Sequence, residues 1–185
     1  QHYNGEPWKI HTVDPFDYFN EPLKSQLIAK LERTAQPYGG KIDYDIDGKI
    51  VGNWFVENSG GYSGTTSGQY NYWSNHAAIT YDAIDPSHLI FSIGTFTTKG
   101  EGQQFGIKGN SPDPSTLDKN SGMVKYELVT YDYETGGTGV KWDRMTYASN
   151  LKAVNNDNEV RGVALLQLID DRKLKIEVFP GKTAS

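Results

Sequence analysis

Not one of the 185 residues is cysteine, so this chain can build no disulfide framework, thiolate metal site or cysteine nucleophile. A domain of this length can bury a core without such staples, and the absence leaves the compartment open. No apolar run approaches the ~20 residues that a membrane-crossing helix needs. Lys and Arg never gather into a stripe, and the formal charge of −5 is spread without a block of one sign. Nucleic acid and anionic membrane surfaces are therefore not expected partners. Sequence signatures of chemistry are missing too. There is no G-x-S-x-G around a serine, since Gly61-Tyr62-Ser63-Gly64 has the wrong spacing, and no phosphate loop follows the glycines near Gly60. His2, His11, His76 and His88 form no pair with zinc-ligand spacing, and neither a metal nor a cofactor is expected. The 23 acidic residues are scattered, so no glycosidase pair can be picked out.

What is abundant points to β-structure. Tyr, Trp and Phe make up 12% of the chain, and twenty glycines accompany many Thr, Val and Ile. Residues 1–16 are polar and proline-punctuated, as an arm or linker would be. Helical spacing of Leu23, Leu27, Ile28 and Leu31 predicts one short helix over 20–34, with Asn20 as its cap and Pro22 in its first turn. From Lys41 the period drops to two: Ile42, Tyr44 and Ile46 alternate with Asp43, Asp45 and Asp47, and Asp47-Gly48 reads as a hairpin turn into 49–56. Further strands are predicted over 76–81, 89–96, 104–108, 123–133, 141–147, 160–169 and 173–179, with Asn155 to Asn158 among the turns between them. In the last strand Leu174, Ile176 and Val178 should face in. Successive hairpins of this kind predict one domain over 1–185, mainly β, with the antiparallel strands of 41–179 curled into a barrel.

Three groups of residues are candidates for function. Asp43, Asp45, Asp47 and Gly48 match the opening of a calcium loop, but the twelfth position, which should be a bidentate Glu, is Trp54. A strand with a wet acidic face ending in an Asp-Gly turn is the preferred explanation, and calcium is kept only as an alternative. His76 and His88 open two predicted strands with Asp82 and Asp85 between them, the raw material of acid–base catalysis and hence of a hydrolase. Ordinary turn chemistry at Asp85-Pro86-Ser87 accounts for the same residues. The segment Gly60 to Trp73 is long, glycine-rich and crowded with aromatics. Tyr62, Tyr70, Tyr72 and Trp73, with Asn58, Gln69 and Asn71 nearby, offer flat apolar faces beside amides, which suits a glycan or another flat polar ligand. The competing reading has these rings close one end of the barrel. Trp54, inside an alternating strand, is expected to be buried, and Trp73 more exposed.

Two resemblances add to this. Gly52-Asn53-Trp54 resembles the G-x-W of lipocalin-like (calycin) barrels, where the Trp plugs one end, although a strand precedes it here and no C-terminal helix follows. The runs Asp14-Pro15-Phe16-Asp17-Tyr18-Phe19, Gly52-Asn53-Trp54-Phe55, Asp82 to Pro86 and Phe91-Ser92-Ile93-Gly94 together resemble a bacterial β-domain that follows an M23-type metallopeptidase-like region in secreted proteins. That resemblance implies an accessory domain, with an upstream peptidase-like domain of the same precursor as partner and the zinc ligands lying there. Gln1 in place of Met fits a processed or excised chain. The expectation is an extracytoplasmic, non-catalytic binding or accessory module for a small or glycan-like ligand. A hydrolase and a purely structural interaction domain are its alternatives.

Overall fold

The structure, a computed structural model, describes residues 13–31, 33, 36–39, 45–63, 72–135, 140–145 and 149–184. Among the described residues eight strands form one antiparallel sheet: β1 (Gly52–Phe55), β2 (His76–Tyr81), β3 (Leu89–Ile93), β4 (Gln103–Ile107), β5 (Val124–Thr135), β6 (Val140–Lys141), β7 (Leu151–Asp170) and β8 (Lys173–Pro180). The path runs β1-β2-β3-β4-β5-β7-β8, and β6 pairs with the far end of β5. The sheet curls around one core that draws Phe91 from β3, Phe105 from β4, Tyr126 and Leu128 from β5, and Ala164, Leu166 and Leu168 from β7. Leu174, Ile176 and Val178 of β8 pack against it while Lys173, Lys175 and Glu177 stay exposed, as the alternation predicted.

The result is an open half-barrel. Its path has seven strands, and every neighbouring pair is antiparallel. The two edge strands, β1 and β8, therefore point the same way, and joining them would need a parallel pair. The described residues show none.

Three sequence expectations need correction. The helix is six residues long, Leu23–Ile28, rather than spanning 20–34. Its N-cap is Pro22, and Asn20 contributes only a backbone carbonyl, to Lys24 N at 3.1 Å. Arg33 beyond the helix pins this region to the β2–β3 turn, donating to the carbonyls of Pro37, Asp82 and Ala83. The predicted turn at Asn155 to Asn158 lies inside β7, which runs unbroken for twenty residues. Between the pairs Val129↔Val160 and Tyr131↔Asn155, β5 advances two residues and β7 five. The asparagines thus form a large bulge, which sharpens strand curvature and re-aims the side chains beside it. Trp54 is half-buried rather than buried, lying against the core with its indole N–H on Ile50 O at 2.8 Å. Trp73 is 62% exposed.

The hairpin predicted at Asp47-Gly48 is seen only on one side. Residues 45–51 form a turn, in which Lys49 N donates to Ile46 O, and lead into β1. Residues 41–44 lie outside the described residues. Of the strand predicted over 141–147, the described residues show Val140–Lys141, with Trp142 N extending the pairing to Tyr133 O, and residues 146–147 lie outside the described residues.

Candidate functional site

A histidine stands at each end of the β2–β3 pair: His76 opens β2, and His88, just before β3, accepts at its carbonyl from Asp82 N beyond the other end of β2. At one end, His76 Nε2 lies 3.0 Å from Asn53 Oδ1. The Asn53 amide N–H donates to Asp45 Oδ1, which also accepts from Asn53 N. Because the amide nitrogen is committed to a carboxylate, its oxygen must face His76, and Nε2 must carry the proton. The His76 ring meets Phe55, Tyr62 and Tyr72 at centroid distances of 4.9, 5.9 and 5.8 Å. Tyr62 is buried at the centre of this cluster, Tyr72 is half-buried, and Trp73 stacks on Tyr72 at 4.7 Å and 23°. Gly94 lets the segment approach this closely, since a Cβ there would sit 1.3 Å from Trp73 O.

Beside this cluster lies a cavity of about 930 Å³ between the two edge strands of the sheet. Trp54 and Phe55 line it from β1, Ile93 from β3, and Leu174, Ile176 and Val178 from β8. Its polar rim includes Asn58, Ser59, Ser74, Asn75 and Thr95. Asn58 adopts a left-handed φ of 63° as the chain leaves β1. Ser59 is 5% exposed, and its hydroxyl has no hydrogen-bond partner. Glu57 and Lys173 reach across from the two edges at 3.9 Å.

At the other end, Asp82, Asp85 and His88 are each less than 5% exposed. Asp82 Oδ1 accepts from Ile84 N and Asp85 N, and Oδ2 accepts from the Tyr133 hydroxyl. Gln104 donates to the Tyr131 hydroxyl at 2.5 Å, and the Tyr131 and Tyr133 rings meet edge to face at 5.8 Å. Burial, then the Asp82 carboxylate, push the Tyr133 phenol well above its ordinary range, and burial raises Tyr131 as well. Asp85 accepts from Ser87 N, Ser87 Oγ and Ala153 N, with Lys152 Nζ 3.5 Å away. Burial alone would raise its pKa, but the Ser87 hydroxyl, those amides and Lys152 outweigh burial and hold it below the usual carboxylate range. His88 Nε2 lies 2.8 Å from Asn155 Oδ1, and Asn155 donates its amide to Ile107 O at 2.8 Å. The same logic places the proton on His88 Nε2, and Nδ1 is sealed without a partner. Gly106 makes room, because a Cβ there would fall 2.0 Å from Asn155 Oδ1.

The four residues of the acid–base alternative do not converge. His76 and Asp82 stand at opposite ends of the six-residue β2, roughly 20 Å apart at about 3.3 Å per residue. Only Asp82, Asp85 and His88 share a neighbourhood, and their carboxylates are already filled as acceptors. Of the six aromatic and amide candidates, Asn58 lines the cavity, Tyr62 and Tyr72 are packed in the ring cluster, and Trp73 stands exposed beside it. Tyr70 and Asn71, like Gln69, lie outside the described residues. So does Asp43, while Asp45 and Asp47 face Arg172 at 3.7 and 2.9 Å. Among the described residues no group of three acidic or histidine side chains is placed to hold a metal. None of the described helices is long and apolar enough to cross a membrane.

Sequence reasoning missed Asn53 and Asn155, the two amides that set the histidine tautomers. Asn53 sits in the G-x-W stretch and Asn155 in an asparagine-rich turn signal, so neither stood out as a histidine partner. It also missed the β8 wall as part of a cavity, because alternation marks an inward face without showing what lies opposite. No family model, curated protein or solved structure matches the chain.

Proposed function

We propose that this protein is a non-catalytic binding module whose ligand occupies the cavity between β1 and β8. The carrying observation is that cavity. At about 930 Å³ it falls within the range that encloses a drug-sized molecule, and it is apolar on its walls and polar at its rim. The reading treats the sheet as a lipocalin-like barrel held open along one seam. The interior that a closed barrel would offer is filled by Phe91, Tyr126, Leu128 and Leu166, so the binding space is the seam itself. The acid–base alternative has no comparable support, since its histidines lie apart and its carboxylates are saturated with hydrogen bonds. An extracytoplasmic setting, and an upstream peptidase-like domain of the same precursor, belong to this proposal on the strength of the sequence resemblance alone.

The test is a library of small molecules and soluble glycans read by Trp fluorescence and by thermal shift. It compares the native chain with Ile176→Trp, which fills the cavity from β8. A ligand whose binding is lost in the filled variant, with the melting temperature maintained, supports the reading. Ligands that bind both forms equally would remove the cavity as the site.

A further inference from the structure

The cavity and the exposed Trp–Tyr stack are neighbours in the chain and share the same corner of the sheet. Ser74 follows Trp73 directly and lines the cavity, as does Thr95, whose hydroxyl donates to Ser74 O at 2.8 Å. Trp73 itself is 62% exposed and backed by Tyr72, so the ring is presented on a support. The chemistry changes sharply between these two places. The β8 side of the seam is aliphatic: Leu174, Ile176 and Val178, with Ile93 from β3, present branched methyls that suit an apolar chain, while Trp54 and Phe55 line the β1 side. The corner at Tyr72 and Trp73 has the opposite character, a flat aromatic surface beside hydroxyl and amide groups.

The charged groups nearest the seam are balanced in sign by neighbours within the protein. His76 is held by Asn53, Arg172 by Asp45 and Asp47, and Lys173 faces Glu57. A ligand therefore gains little there from charge, and its gain comes from burying apolar surface.

From this geometry we infer that the ligand is an amphiphile. A linear aliphatic chain lies in the seam between β1 and β8, and a neutral, ring-bearing polar head such as a sugar rests at the Trp73 corner. This rests on the cavity reading above and adds the ligand's class. A free sugar would leave the aliphatic walls empty, and a headless alkane would leave the aromatic stack unused.

The experiment compares dodecyl maltoside below its micelle concentration with maltose alone and with 1-decanol, by calorimetry on the native chain, Ile176→Trp and Trp73→Ala. The glycoside should bind about tenfold or more tightly than either half. Its affinity should fall by about tenfold or more in Ile176→Trp and severalfold in Trp73→Ala, while decanol loses affinity only in Ile176→Trp. Circular dichroism and melting temperature check that both variants fold, and Val178→Phe replaces Ile176→Trp if that variant does not. Decanol binding as tightly as the glycoside, with no effect of Trp73→Ala, would overturn the two-part ligand while leaving the seam as a site. Maltose binding as tightly as the glycoside, unaffected by either filling variant, would overturn both this inference and the cavity reading. Absence of binding by all three probes overturns the amphiphile class, and the library screen then decides the cavity separately.

Discussion

His76 and His88 are held by the same device and put to opposite uses. Each donates from Nε2 to an asparagine oxygen, and each asparagine is locked by giving its amide hydrogens to a second acceptor. Around His88 that device is sealed. β5 and β7 cross over it, Asp82 and Asp85 satisfy the backbone of the turn, and the ring is 1% exposed. Around His76 the sheet stops at its free edge, and the ring joins an aromatic cluster beside an open cavity. The lesson is that a histidine–amide pair marks neither a catalytic nor a structural site by itself. Whether strands continue past it decides what it can do.

The sharpest way to break this contrast is to remove Asp82. Its carboxylate accepts one buried and one half-buried backbone N–H and the Tyr133 hydroxyl, so Asp82→Ala should cost about 3 kcal/mol through orphaned donors. The urea midpoint measures this, and an unchanged midpoint would show that the sealed end is not held by its polar network. At the open end, Trp54→Ala should cost less, about 2 kcal/mol, because the indole is only half-buried and part of its surface already faces the cavity. A loss as large as that of Asp82→Ala would mean the seam is packed as tightly as the core.

Acid titration separates the ends without removing a side chain from the core. The folded-state pKa of Asp85 is depressed, so its contribution is present in full above the unfolded value and is lost as pH falls through the folded one. Asp85→Asn should therefore flatten the loss of stability on the acid side, below the ordinary carboxylate range. Asp113, Asp118, Glu127 and Asp132 are depressed too and keep part of that slope. An acid limb identical in the variant would show that Asp85 carries none of it. The smallest effect is expected at Trp73→Ala, within about 0.5 kcal/mol, since most of the ring is in water. Its fluorescence signature is the loss of the red-shifted, quencher-accessible component. If quenching by iodide is unchanged, Trp73 is covered and the open corner is misread.

Much of this was legible from residue patterns. The strand His76–Tyr81 and the inward row of Leu174, Ile176 and Val178 follow from period-two alternation, which a half-buried sheet imposes directly. Asn155 to Asn158 was read as a turn because asparagine clusters favour the same backbone kinks in turns and bulges. Pairing with β5 on either side of the bulge, at Val160 and at Asn155, keeps β7 continuous. The helix came out shorter because spacing at Leu31 says nothing of where the last helical hydrogen bond falls. The grouping of the four acid–base candidates failed for a geometric reason: residues close along the chain are carried apart by a strand.

Composition and alternation by themselves determined a cysteine-free, mainly β domain with one short helix, because those features depend on each residue's own preferences and on its near neighbours. The tertiary structure alone decided that the sheet stays open. The direction of β1 relative to β8 depends on how many strands pair between them, a property of the whole path. It also decided which asparagine meets which histidine, since Asn155 reaches His88 only after the β7 bulge turns it inward and Gly106 leaves the space. Local sequence encodes which face is apolar. What stands opposite that face, whether another strand or a cavity, is set by contacts between residues far apart in the chain.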